Sequence, residues 1–217
     1  MKEMLLNEIK EYLENNNCNE IIFNITNMNY KYDEKNSHRT LDLSNDNSTE
    51  VTNDILNELE IDKMNVTTLK FIFHELISNI YDHSKTENAL IFGKEDNNHF
   101  DFVFIDNGIT IPCSLKYSNN NIKDDCEGVI KAINGLSTKN GFGYIERGTG
   151  LNNTINIVTS GGDGEVIIAS GHALIYINAN EIIQEEMHRY FNGTLIILRI
   201  KLKNKIDIYK YLKPVKY

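Results

Sequence analysis

Residues 71–84, FIFHELISNIYDHS, constrain the fold more than any other stretch of the 217-residue chain. Leu69, Ile72, Phe73, Leu76, Ile77 and Ile80 fall on one side of a helix that turns once in about 3.6 residues. An apolar stripe of that width belongs to a helix packed on a sheet, so the chain must supply a sheet to receive it. Along the edge of the stripe runs a polar row of Glu75, Asn79 and His83, each one turn from the next. A carboxylate and an amide in register beside a core face could form a site. Equally, they could be solvated polar positions.

The sheet is supplied further along. Residues 89–92 and 100–105 read as strands, and the second, FDFVFI, is apolar almost throughout, as for a strand buried on both faces. Residues 165–170, 172–178 and 193–202 add three more. IIFNI at 21–25 is a further strand candidate, rich in branched and aromatic side chains. Helical spacing predicts helices over 2–16, 51–60 and 124–134, and one that begins near Thr149 and runs to 160. Residues 26–50 are polar and read as loop, with an edge strand near 30–32 and a solvent-exposed His38. Pro112 is expected to keep 113–123 out of helix and strand. Residues 181–190 fit either a helix or a loop, and 206–212 either a helical turn or an edge strand. These elements predict an α/β two-layer sandwich: a mixed, mostly antiparallel sheet against one layer of helices. Residues 66–217 would form the main domain, with 1–65 as an extension of it.

A net charge of −9 without a compensating basic run argues against nucleic acid as the main partner. Cys18, Cys113 and Cys126 are widely spaced and form no CxxC pair, which fits neither a disulfide framework nor a thiolate zinc site. The N-terminal stretch carries acidic residues among its apolar ones, unlike a signal peptide, and no run reaches the roughly 18 residues of a membrane helix. The expectation is a cytoplasmic protein.

Four places could carry chemistry. Glu75 and Asn79 offer a carboxylate that could orient or deprotonate a water and an amide oxygen suited to a hard cation. Asp106 ends the buried strand and opens the turn Asp106-Asn107-Gly108, where it could accept a hydrogen bond from an amino group or simply form a turn. Arg147-Gly148-Thr149-Gly150-Leu151 leads from a glycine-dense loop into a helix, an arrangement that suits phosphate oxygens and also suits a tight loop. Gly193-Thr194 opens a late strand. The start of H-E-x-x-H at His74-Glu75 fails because Ser78 stands in place of the second histidine, and no P-loop signature occurs.

Taken in order, E-x-x-x-N on a helix, D-x-G after a strand, a glycine-rich lid, R-G-T-G-L into a helix and G-T before a strand resemble the nucleotide-binding boxes of the GHKL superfamily of ATPases. The resemblance covers about residues 66–202 and implies the Bergerat ATP-binding fold, with ATP and Mg²⁺ as ligands. It implies that Glu75 activates a water or an acceptor hydroxyl and that Asn79 holds Mg²⁺. Asp106 would bond the adenine amino group, and Gly108 would let the base approach the backbone. Ser137, Thr138 and Lys139 would lie in the lid near the terminal phosphates. Gly148, Thr149, Gly150 and Leu151 would form the phosphate turn, and Thr194 would reach the adenine-side water network. Two positions depart from the pattern: Thr110 replaces a second glycine, and Asp82 stands where many relatives have a basic residue.

Residues 1–65 hold no phosphoacceptor hairpin, and no topoisomerase or repair domains accompany the boxes. The resemblance therefore narrows to a stand-alone, histidine-kinase-like ATPase similar to anti-sigma-factor kinases. Three functions follow: slow ATP hydrolysis or γ-phosphate transfer to a regulatory partner protein, an ATP-gated binding switch without turnover, or a scaffold that has lost nucleotide affinity. A homodimer is left open.

Overall fold

The apolar strand is indeed the middle of the sheet. In the computed structural model it is β3 (His99–Asp106), third in a five-stranded sheet of order β1-β2-β3-β5-β4. The structure describes residues 2–27, 36–41, 48–59, 61, 63–86, 88–96, 99–118, 121–136, 149–201 and 205–212. The other strands are β1 (Asn36–Leu41), β2 (Ala89–Asp96), β4 (Glu165–Ile177) and β5 (Ile182–Ile200). Every described pairing is antiparallel, where a mixed sheet was expected. Hairpin turns suffice for β2–β3 and β4–β5, so no crossover to a parallel neighbour is needed there.

The predicted long helix is α4 (Lys63–Asn79), extended by a π-helical turn over Ile80–Ser84. Its stripe meets the sheet as expected: the Phe73 ring packs edge-on against both Phe102 and Phe104, with centroids 5.0 Å apart in each case. The same core takes in α3 (Ser48–Glu58), α6 (Asp125–Ile133) and α7 (Gly150–Asn156), the last continuing as a π-helical turn to Gly161. This gives the α/β sandwich of sheet and helices. An addition lies on the opposite face, where α1 (Lys2–Asn15) and α2 (Cys18–Asn27) pack Leu6, Leu13, Cys18, Ile21 and Ile22 in one cluster with Leu90, Ile105 and Leu195. That cover is why FDFVFI is apolar on both its faces.

Local chemistry explains where expectation and structure differ. Residues 21–25 are helix, not strand. Asn17 Oδ1 accepts the Glu20 amide at 3.0 Å and Glu20 Oε2 accepts the Asn17 amide at 2.6 Å, a capping box that starts α2. Residues 113–123 are not all loop, because α5 (Ile111–Tyr117) runs through 113–117. Thr110 caps it, and Pro112 occupies the first turn, where its missing N–H is not needed. His38 lies in β1 opposite Phe92, not in a loop. A polar edge strand needs no apolar alternation. Residues 165–170 and 172–178 form one strand with an irregularity at Gly171, and 182–190 are the outer half of β5. The tail makes a 3-10 turn at Ile208–Lys210. The strand expected near 30–32 falls outside the described residues. Among the described residues, no helix is long and apolar enough to cross a membrane.

The second core predicts a measurable cost. Leu13 is 3% exposed, so Leu13→Ala should lower unfolding free energy by about 2–5 kcal/mol. Urea denaturation checks this; a loss below about 0.5 kcal/mol would show that α1 is not part of the cooperative unit.

Candidate functional site

Antiparallel register brings three polar side chains into one row. Asp106 of β3 lies opposite Thr194 of β5, and Thr194 lies opposite Ser170 of β4. All three are in phase with the strand residues that face α4: Phe102 and Phe104, Ile196 and Leu198, Val166 and Ile168. Ser170 Oγ accepts the Ile111 amide at 2.9 Å and donates to the Gly193 carbonyl at 3.0 Å. With its one proton so placed, the Thr194 hydroxyl, 3.2 Å away, is the donor to Ser170. Gly193 has φ +121°, a conformation that favours glycine, and a Cβ there would stand 2.0 Å from the Asp106 carbonyl. Its predicted place at the start of a strand is therefore the middle of β5, where the chain presses on β3.

Asp106 itself is only 4% exposed. Burial pushes its carboxyl up to about 7, against a smaller opposing pull from the Gly108 N–H, which donates to Oδ1 at 2.9 Å. Behind it, the Cys18 thiol donates to the Asp106 carbonyl at 3.0 Å. Burial also drives that thiol up to about 12, so it stays a neutral donor.

The turn that follows is locked onto the end of the long helix. The Ile109 amide donates to the Ser84 carbonyl at 2.6 Å, and a Cβ on Gly108 would lie 2.1 Å from the same oxygen. Gly108 is thus required by the chain's own backbone. Thr110, at the place of the missing second glycine, is 1% exposed; its Oγ1 accepts the Cys113 amide at 3.3 Å and sits 3.0 Å from the Tyr190 hydroxyl.

Further back along the same helix, Glu75 and the last residue of α4, Asn79, are both half-buried on the edge of the stripe. A Cβ on Gly150 would stand 1.9 Å from Glu75 Oε2, so the carboxylate lies against the start of α7. The structure therefore joins Glu75 to Gly150 and Asp106 to Thr194, with α4 spanning both pairs. Thr149 and Leu151 flank Gly150, and Leu151 packs against the core. Ser137, Thr138, Lys139 and Gly148 lie outside the described residues. His83, in the π-helical turn, is half-buried like Glu75 and Asn79, whereas Asp82 is exposed.

Among the described residues, no group of three or more His, Cys, Asp or Glu side chains could hold a metal ion. A cation that keeps its waters and binds phosphate oxygens needs only one or two protein oxygens, and the half-buried Asn79 amide one turn from Glu75 fits that smaller role. Sequence reasoning missed Ser170 and Asn107. The serine ending an otherwise apolar EVIIAS run, at a break between two strand-like segments, was the available signal.

No protein-family model matches the chain, and a search of curated proteins finds no match either.

The buried carboxyl predicts a pH effect. The folded chain keeps the Asp106 proton up to about pH 7, whereas an unfolded aspartate releases it near 3.8. Between those values the unfolded state binds fewer protons, so this group's contribution to stability falls as pH rises and then levels off. Asp106→Asn should remove that fall and stabilise the protein at pH 8 by roughly 2–4 kcal/mol, with little effect at pH 4. Denaturation curves at both pH values test it, and parallel losses in the two proteins would contradict it.

Proposed function

We propose that the chain is an Mg²⁺-dependent ATP-binding regulatory protein with the Bergerat arrangement of the GHKL ATPases, which hydrolyses ATP slowly or passes its γ-phosphate to a partner protein. One observation carries the reading: a desolvated carboxylate, Asp106, paired across the sheet with Thr194 at one end of the helix whose middle sets Glu75 against Gly150. Eight residues lie between Glu75 and Ser84, about two helical turns and on the order of 10 Å along the axis, a reach on the scale of a nucleoside triphosphate.

In this reading Asp106 accepts the exocyclic amino group of adenine, and the Thr194 and Ser170 hydroxyls order the neighbouring water. Asn79 holds Mg²⁺, which when bound neutralises phosphate charge. Glu75 takes the proton of the attacking water or acceptor hydroxyl. Ser137, Thr138, Lys139 and the turn from Gly148 to Leu151 meet the phosphates. The free cysteines fit a reducing compartment, in keeping with a cytoplasmic protein.

The amino group of adenine favours the ionised carboxylate, so binding should release a proton when Asp106 starts protonated. With the free carboxyl at about 7, affinity should rise with pH up to that value and then level off. Calorimetry in buffers of different ionisation enthalpy measures the release; no proton exchange at pH 6 would separate Asp106 from the base.

Two variants test the rest. Asn79→Ala should abolish Mg²⁺-dependent ATP binding by calorimetry, and an unchanged affinity would sink the site assignment. Glu75→Ala should bind ATP while phosphate release or transfer to a partner, followed with γ-labelled ATP, falls by at least about 100-fold. Turnover surviving that change would remove Glu75 as the base.

A further inference from the structure

The turn that carries Asp106 is held from behind by the N-terminal helices. Asn107, between Asp106 and Gly108, is fixed at three points. Its Nδ2 donates to Asn19 Oδ1 at 2.8 Å, its Oδ1 accepts from the Thr86 hydroxyl, and its backbone amide donates to the Asn88 carbonyl at 3.2 Å. Next to Asn19 in the first turn of α2, Cys18 bonds the Asp106 carbonyl. Two consecutive residues of one helix thus grip two consecutive residues of the turn. The helix end that does this is itself rigid, because the Asn17–Glu20 capping box closes it and Ile21 and Ile22 anchor it in the core with Ile105 and Leu195.

We infer that Asn19, acting through Asn107, is a positioning residue for the Asp106–Gly108 turn, and that α2 is the rear wall of the candidate site. The mechanical link stands on geometry; its consequence for nucleotide affinity rests on the ATP reading. The side-chain bond of Asn19 runs to Asn107, outside the pocket row of Asp106, Thr194 and Ser170. Its effect is to limit how far Asn107 can swing, and with it the Asp106 carboxylate and the Gly108 amide that bonds it. The contact is exposed to solvent, so its value lies in geometry more than in global stability.

The test uses the full chain with two substitutions. Asn19→Ala removes the acceptor. Asn19→Asp keeps it, and an anion in the first turn of a helix is favourable. The first readout is hydrogen exchange at the Gly108 amide, which closes onto Asp106 Oδ1 and needs no nucleotide. Asn19→Ala should speed that exchange about three- to tenfold while core amides such as Ile168 stay as in the wild type; Asn19→Asp should restore it. Asn107→Asp breaks the same bond from the other side, and the double variant should add nothing to either single one.

The second readout is Mg-ATP affinity by calorimetry, expected to fall about three- to tenfold in Asn19→Ala and to recover in Asn19→Asp. Unchanged Gly108 exchange, or equal changes in the alanine and aspartate variants, would overturn the link. Faster exchange with unchanged affinity in a protein that binds ATP would overturn the positioning role. A wild-type chain that binds no ATP at all would defeat the ATP reading, while the exchange measurement would still decide whether α2 holds the turn.

Discussion

A carboxylate held out of water at the end of the central strand is the constraint on which the rest of the structure turns. Asp106 has burial raising its pKa and, among the described residues, a single backbone N–H lowering it. An arrangement that unfavourable persists only if its surroundings leave the side chain no other place. Those surroundings are specific. Gly193 brings β5 against the Asp106 carbonyl, Ser84 meets Gly108 backbone to backbone, and Cys18 closes the rear. Each contact comes from a different part of the chain. The turn is therefore a product of the whole fold rather than of its three residues.

The long helix makes the two ends of the site one object. Its stripe is locked by Phe73 between Phe102 and Phe104, so α4 cannot slide along the sheet without breaking two edge-on aromatic contacts. Its middle carries Glu75 against Gly150, and its end carries the Ser84 carbonyl that receives Ile109. The distance between the two residue pairs is then set by helix geometry, which varies little. Loops could not hold that spacing.

Much of this was legible in the sequence wherever a period or a cap announced it. The stripe of α4 follows a period of 3.6, FDFVFI is too apolar to face water, and the helix expected over 124–134 is α6, with Asp124 as its side-chain cap. The misses share a cause: they depend on partners distant in sequence, or on a local cap outweighed by composition. The branched residues at 21–25 suggested strand, yet Asn17 and Glu20 began a helix. The outer half of β5 turns Ile183, Glu185 and Met187 inward and leaves Gln184, Glu186 and His188 exposed, but with glutamates on both faces the sequence itself shows no apolar alternation. At the site, motif order pointed to Asp106 and Thr194, but only strand register reveals that they are opposite one another. Ser170 left only the faint signal of a serine ending an apolar run, and Asn19 left none, since one acts through cross-strand pairing and the other across 88 positions of chain.

Stability and site chemistry pull in opposite directions at Asp106, and this bears on what the position is for. Were the row only structural, an asparagine could keep the bond to the Gly108 amide and shed the desolvation of an acid. The fold gains nothing from an ionisable group there. A ligand bringing a hydrogen-bond donor gains a great deal, because a carboxylate without competing water binds a donor more strongly than an exposed one does. The scaffold reading, in which nucleotide affinity is lost, leaves that buried acid without a role. A reading in which the donor is the amino group of a base gives it one. The same geometry then explains why the rear of the turn is tied so closely to α2: a strong interaction in a desolvated site is only as selective as the position of its acceptor.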